Sequence, residues 1–219
     1  MSGRDKYDVL RFAEAQFEPG SNKLVLKNLM GIKSRLEMDT VEAVALKQTE
    51  DLLFHTYGRE HRFSVVDLCN IHKIWLGKIY EWAGKYRNID LAKGNFRFAH
   101  AKFIPELMRK FEREFLFMHT PCHKMPIEEL IEALAKVHAE FILIHPFRDG
   151  NGRLGRLLST LMAVQAGIPP LTFKIIERAK RKQYISAVQA SVDKKYEPME
   201  EIFRLIIEQS VSNFCNAPH

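Results

Sequence analysis

His145-Pro-Phe-Arg-Asp-Gly-Asn-Gly-Arg-Leu-Gly-Arg156 is a polar loop set between two apolar stretches, and those stretches decide the fold. Upstream, residues 127–144 are apolar nearly all round (Ile131, Leu134, Ala135, Val137, Phe141, Ile142, Leu143, Ile144), the composition of a buried helix. Pro146 disfavours the α conformation for the residue before it, so this helix is predicted to end at about His145. Downstream, Leu154, Leu157, Leu158, Leu161 and Met162 recur at helical spacing. The segment therefore reads helix, tight loop, helix. Two buried helices hold such a loop rigidly, which is what a preorganised site requires.

Working outward, residues 40–53 read as a helix capped by Asp39 or Thr40, with Val41, Val44, Ala45, Leu52 and Leu53 as its apolar stripe. Residues 64–79 read as another, capped by Ser64, with Leu68, His72, Trp75 and Leu76 on one face. The one strand signal follows. Tyr86-Arg-Asn-Ile-Asp-Leu91 alternates polar and apolar, residues 92–95 supply turn chemistry, and Phe96-Arg-Phe98 alternates again. Helices are expected at about 103–118, 152–166, 175–192 and 199–214, the last with Pro198 near its start. The predicted class is all-α, a compact helical bundle with one short β-hairpin. There is no internal repeat, and no shift in composition marks a second domain.

The chain has 219 residues, 46% hydrophobic and 27% charged, an ordinary balance for one globular core. No apolar run reaches the length of a membrane helix, and no apolar segment follows the charged start Met1-Ser-Gly-Arg-Asp-Lys-Tyr-Asp8, so neither a membrane nor a secretory signal is expected. Cys69, Cys122 and Cys215 are odd in number and far apart, which fits free thiols in a reducing cytoplasm. The net charge of +6 permits nucleotide or acidic-protein partners without selecting one. The densest basic run, Arg178-Ala-Lys-Arg-Lys182, reads as a solvated helix face, and nucleic acid is not an expected partner.

The loop carries the chemistry. Gly150 and Gly152 let the backbone turn sharply and approach a ligand. Asn151 can offer an amide and start the next helix. Free N–H groups at a helix start, with the positive end of its dipole, favour phosphate. Arg153 and Arg156 project to one side of that first turn, and their guanidinium forks suit phosphate oxygens. Asp149 can hold a Mg²⁺ that bridges phosphates. His145 alone in the loop titrates near neutrality and is the natural general base. Phe147 reads as scaffolding. No Walker spacing is present and no strand precedes the loop. A metal site built from His138, His145 and Asp149 is a competing reading, since His138 and His145 lie about two helical turns apart.

These residues resemble the signature of the Fic-domain family of nucleotidyl transferases, H-x-F-x-[DE]-G-N-G-R-x-x-R, which stands complete at His145, Phe147, Asp149, Gly150, Asn151, Gly152, Arg153 and Arg156. The likeness reaches Tyr80-Glu-Trp-Ala-Gly-Lys-Tyr-Arg87 and the following hairpin, and extends over most of about 40–210. It implies a Fic-type catalytic domain at 40–214, an N-terminal extension at 1–39 packing on it, and a tail at 215–219. It implies AMP transfer from ATP to a hydroxyl of a target protein, with Mg²⁺ on Asp149. His145 would be the catalytic base. Arg148, Gly150, Asn151, Gly152, Arg153 and Arg156 would bind the nucleotide phosphates.

The resemblance also makes the hairpin a flap that docks the target as an added strand, through Asn88, Ile89, Asp90, Leu91, Phe96 and Phe98; ordinary packing of Phe96 and Phe98 explains those aromatics as well. Many family members carry an inhibitory [ST]-x-x-x-E-[GN] segment. The nearest string here, Thr56-Tyr-Gly-Arg-Glu60-His61, ends wrongly. The implied alternatives are a separate antitoxin-like inhibitor, as in the toxin branch, or no inhibitor. Kinase chemistry goes with Lys in place of Gly152 and is disfavoured. Transfer of phosphocholine or another nucleotide, and a basic binding module with an inactive loop, remain as rival readings.

Overall fold

The computed structural model describes residues 12–94, 96–177 and 179–216. The expectations for the first eight residues, for Asn95 in the turn, for Arg178 in the basic run and for 217–219 of the tail lie outside them. The protein is all-α apart from a two-stranded hairpin. In chain order the helices are α1 (Arg35–Thr56), α2 (Val65–Leu76), α3 (Ile104–Phe111), α4 (Ile127–Ile144), α5 (Asn151–Gln165), α6 (Lys174–Glu177), α7 (Arg181–Ala190) and α8 (Glu197–Cys215). The hairpin is β1 (Ala92–Lys93) and β2 (Phe96–Arg97). A π-type stretch, Glu112–Leu116, continues α3 towards Phe117–His119.

α4 is the axis of the core. Its apolar surface is covered by α5 on one side and α8 on another, with Leu134, Phe141, Leu154, Leu158, Met199 and Phe203 buried together. The crossing with α5 is close because position 155 has no side chain. A Cβ on Gly155 would lie 3.2 Å from Ile142 Cδ1 and 3.3 Å from both His138 Cε1 and Phe141 Cδ1. A smaller apolar cluster joins Val25, Ile32 and Met38 to Trp75, Leu76 and Tyr80, tying the chain before α1 to the end of α2.

Several boundaries differ from expectation. α1 begins at Arg35, capped by the Ser34 side chain, which accepts from the Glu37 amide; Asp39 and Thr40 lie inside it, as does the anticipated boundary at 39/40. Its buried face is Met38, Glu42, Thr49 and Leu53, while Val44 and Leu52 are exposed. Apolar periodicity missed this face because two of its buried positions are polar. α2 starts on a full Ser64–Asp67 capping box and stops before Gly77.

The predicted strand Tyr86–Leu91 does not form. Arg87 turns inward to bind backbone carbonyls, and Asp90 Oδ1 accepts from the Ala101 amide at 2.8 Å, so this stretch is an arch. The hairpin is displaced onto Ala92↔Arg97 and Lys93↔Phe96. The single helix expected at 175–192 is broken between α6 and α7; the break re-aims the chain so that the Tyr184 hydroxyl reaches His138 Nε2 at 2.9 Å. Among the described residues no helix is long and apolar enough to cross a membrane.

Candidate active site

α4 ends where His145 adopts a left-handed conformation (φ 53°), with its amide still bonded to Phe141 O at 3.0 Å. His145 Nδ1 lies 3.2 Å from Ile142 O, an acceptor, so Nδ1 carries the proton and Nε2 keeps the lone pair. The Phe98 ring stacks on the imidazole at 3.7 Å and 16°. Burial, above all, lowers the His145 pKa to about 4. The ring is therefore neutral and able to accept a proton throughout the neutral range.

The loop after His145 is braced from inside. Asn151 Oδ1 accepts from the Phe147 amide at 2.9 Å, and its Nδ2 donates to Phe147 O at 2.8 Å. This side chain is thus locked into the loop and does not cap α5. Gly150 holds the cap position instead, at φ +81°. A Cβ there would sit 2.8 Å from Trp75, so both conformation and space demand glycine. At Gly152 a Cβ would meet only Arg156 Nη1, at 3.8 Å, which leaves open space over the start of α5. No side chain caps that helix. Phe147 is fully buried and stacks on His72 at 4.0 Å, in the scaffolding place foreseen for it.

The charged groups are spread around this turn. Asp149 Oδ1 accepts from the Gly150 amide at 2.7 Å, and Oδ2 lies 3.6 Å from Arg153 Nη2. Arg153 also pairs with the buried Glu42 and lies over the Trp75 ring at 4.7 Å. Arg156 Nη2 is 3.7 Å from Glu177. Arg148 points elsewhere: its Nε donates to the Glu14 carbonyl at 2.7 Å, so it clamps the N-terminal segment against the loop, not the space over α5. His138 is 1% exposed and bonds Tyr184 and Ser159, which removes it from any metal set with His145 and Asp149; no cluster of three metal-binding side chains occurs among the described residues.

Of the residues assigned to the flap, Phe96 lies in β2 and Phe98 covers His145. Leu91 O accepts the Phe98 amide at 3.1 Å. Asn88, Ile89 and Asp90 belong to the arch below: the Asn88 amide donates to Glu14 Oε1 at 2.6 Å, and Ile89 is buried.

Three supporting residues escaped the sequence reading. Arg87 joins arch to loop by donating to His145 O (2.7 Å), Ile89 O and Ala99 O (both 2.6 Å) and Ile144 O (3.3 Å). His72 accepts from the Gly84 amide at 2.8 Å and donates to Asp149 O at 3.1 Å, which fixes its tautomer and holds the loop. Glu42 is the third. His72 was visible as a histidine on an apolar helix face, but the loop atoms that His72 and Arg87 bind, Asp149 O and His145 O, lie far away in sequence.

The family model described as Fic/DOC family matches residues 62–163. Protein adenylyltransferase VbhT of Bartonella schoenbuchensis is 31% identical over 65% of this chain and 30% of its own length. The Salmonella typhimurium protein named Probable protein adenylyltransferase Fic is 31% identical over 75% of each chain. The chain belongs to the Fic/DOC family. Its fold is that of the Bartonella tribocorum BepC protein solved with bound AMPPNP, at a TM-score of 0.68 and 22% identity, covering 88% of this chain and 96% of that one. The Fic/DOC stretch runs from just before α2 to near the end of α5, and so includes the hairpin and the whole loop but not Glu42.

The buried histidines make this Fic/DOC fold acid-sensitive. Burial lowers the pKa of both His72 and His138 to about 4. In the unfolded chain they bind protons from about pH 6.5 downward, so the unfolded state holds more protons and stability falls as pH drops from 6.5 towards 4. The slope is about 1.4 kcal/mol per pH unit for each histidine. Thermal melts should show Tm declining already between pH 6.5 and 5, above the carboxylate range. A flat Tm across that interval would contradict the assignment of both rings as neutral.

Proposed function

We propose that the chain is a protein adenylyltransferase that moves AMP from ATP to a hydroxyl side chain of a target protein. The observation that carries this is the pairing of a neutral His145, its Nε2 free, with the uncapped start of α5 and the open space over Gly152. The names of the relatives, two of them protein adenylyltransferases, support the same reading.

In this reading the backbone at Gly150, Asn151 and Gly152 binds the α- and β-phosphates, and Arg153 and Arg156 hold the outer ones. His145 Nε2 takes the proton of the target hydroxyl. The hydroxyl oxygen forms its bond to the α-phosphorus while the bond to the bridging oxygen breaks, and pyrophosphate leaves. Mg²⁺, when bound, neutralises charge on the phosphates. Asp149, with a partly exposed carboxylate and no cluster of three metal-binding side chains among the described residues, suits an ion that would keep waters and phosphate oxygens as its other ligands. The short exposed hairpin would add an extended target segment as a further strand beside Phe98 and His145.

The catalytic unit would begin with the whole of α1, at Arg35, and run to about 214, with the segment before it as a brace. Cys69, Cys122 and Cys215 are all free thiols, which supports a cytoplasmic site of action. Glu60, in the string nearest to an inhibitory motif, pairs with His123 at 3.4 Å, while Arg156 lies beside Glu177. This supports control by a separate antitoxin-like protein, as in the toxin branch that the sequence resembles.

The test is to supply Mg²⁺ and ATP labelled at either the α or the γ phosphate in cell lysate. Label on protein from the α position alone is the expected result. Label from γ alone would replace AMP transfer with kinase chemistry.

A further inference from the structure

The Arg153 guanidinium is held from several sides. Glu42, on α1, is 2% exposed, and both its carboxylate oxygens are engaged: Oε1 accepts from the Tyr80 hydroxyl at 2.6 Å, and Oε2 pairs with Arg153 Nη1. The backbone of the same residue accepts from Trp75 Nε1 at 2.9 Å, which fixes the ring that underlies Arg153 at 4.7 Å. Asp149 stands 3.6 Å from Arg153 Nη2. Tyr80 is itself stacked on Trp82 at 4.5 Å. A run of contacts thus leads from Trp82 through Tyr80 and Glu42 to Arg153 and on to the loop carboxylate.

We propose that Glu42 is a positioning residue that sets the orientation of Arg153 for phosphate binding. The inference rests on the proposed nucleotide site and adds to it a residue that lies outside the matched stretch 62–163.

Stability alone is a poor explanation of this buried carboxylate. Buried ion pairs are weak contributors to stability, and an apolar side chain of similar volume commonly serves a core position as well. Orientation is the better explanation. An arginine presents five donors in a rigid fork, so one strong bond to Glu42 and a flat seat on Trp75 fix where the remaining donors lie. About a quarter of the Arg153 side chain (27%) stays exposed and available to a ligand.

Electrostatics alone predicts the opposite sign. Glu42 is a negative charge beside a proposed triphosphate site, and its removal should tighten binding if charge were all that mattered. Glu42→Gln separates the two views, because glutamine has one acceptor oxygen for two donors.

The experiment measures Mg-ATP affinity and Tm for the wild type, Glu42→Gln, Glu42→Asp, Arg153→Lys and the double variant. It also follows the Arg153 guanidinium Nη–H signals by NMR without nucleotide, assigned by their loss in Arg153→Lys. Positioning predicts binding about tenfold weaker in Glu42→Gln, the scale of one orienting hydrogen bond to a charged group. It predicts partial recovery in Glu42→Asp and little further loss in the double variant, since lysine has no fork to orient. The Nη1–H signal should be protected in the wild type and exchange rapidly in Glu42→Gln. If Glu42→Gln fails to fold, Glu42→Asp carries the same comparison with a smaller expected change.

Tighter ATP binding in Glu42→Gln would overturn the proposal in favour of a brake. A loss in the double variant equal to the sum of the Glu42→Gln and Arg153→Lys losses, with the Glu42→Gln loss tracking Tm, would reduce Glu42 to a structural part. A signal unchanged between wild type and Glu42→Gln would overturn the positioning role while leaving the nucleotide site intact. A wild type that binds no ATP would instead overturn the proposed function itself.

Discussion

Alanine in place of His145 is expected to lower AMP transfer by about 10²–10⁴-fold while leaving Mg-ATP binding unchanged. The separation follows from the geometry. The groups assigned to the phosphates belong to α5 and its first turn, whereas the imidazole stands at the end of α4 and contacts Phe98 and Ile142. With Nδ1–H committed to a carbonyl and Nε2 free, the ring has one open basic atom. Its pKa, lowered to about 4 by burial, means that loss of the base by protonation should occur well below the usual histidine range. The measurement is single-turnover pyrophosphate release beside calorimetric titration of nucleotide. Transfer within tenfold of wild type would remove His145 from the role of base.

The second large effect is structural. Arg87→Leu should cost roughly 3 kcal/mol or more, because a buried cation that satisfies several backbone carbonyls is replaced by a group that satisfies none. Arg87 is 2% exposed, and its guanidinium donates to carbonyls of the arch (Ile89), of the segment after the hairpin (Ala99) and of the α4 end (Ile144, His145). Burial lowers its pKa, with Asp90 and Glu14 opposing, yet an arginine stays charged. For a chain of this size each kcal/mol moves Tm by about 2–4 °C, so a fall of roughly 6–12 °C is expected by thermal melting. Transfer activity should also fall more than stability accounts for, since the arch that carries Phe98 would lose its anchor to His145. An unaltered Tm would show that water replaces the guanidinium at little cost.

The helices that build the site were legible because their signals are local. α4 ends where Pro146 says it must, α5 begins beside Gly150, and the leucine spacing of α5 is the spacing that is buried. The hairpin was seen but misplaced, because alternation along 86–91 cannot distinguish a strand from an arch whose arginine is bonded inward. The start of α1 was missed because Ser34 is the cap and Asp39 and Thr40 are interior; its inner face was misread because it includes Glu42 and Thr49, which look solvent-facing until their partners are known.

By itself, the sequence determined the helical class and the rigid loop between two buried helices, and it put His145, Asp149, the glycines and the two arginines within that one loop. These depend on spacing within about twelve residues, where helical geometry alone decides which groups meet. Only the tertiary structure decided that the Asn151 side chain bonds Phe147 and Arg148 the Glu14 carbonyl, that Phe98 lies on His145, and that Glu42, His72 and Arg87 hold the loop in place. The physical reason is that a buried polar group must find a partner wherever the packed chain supplies one. For Glu42 that partner is 111 residues away.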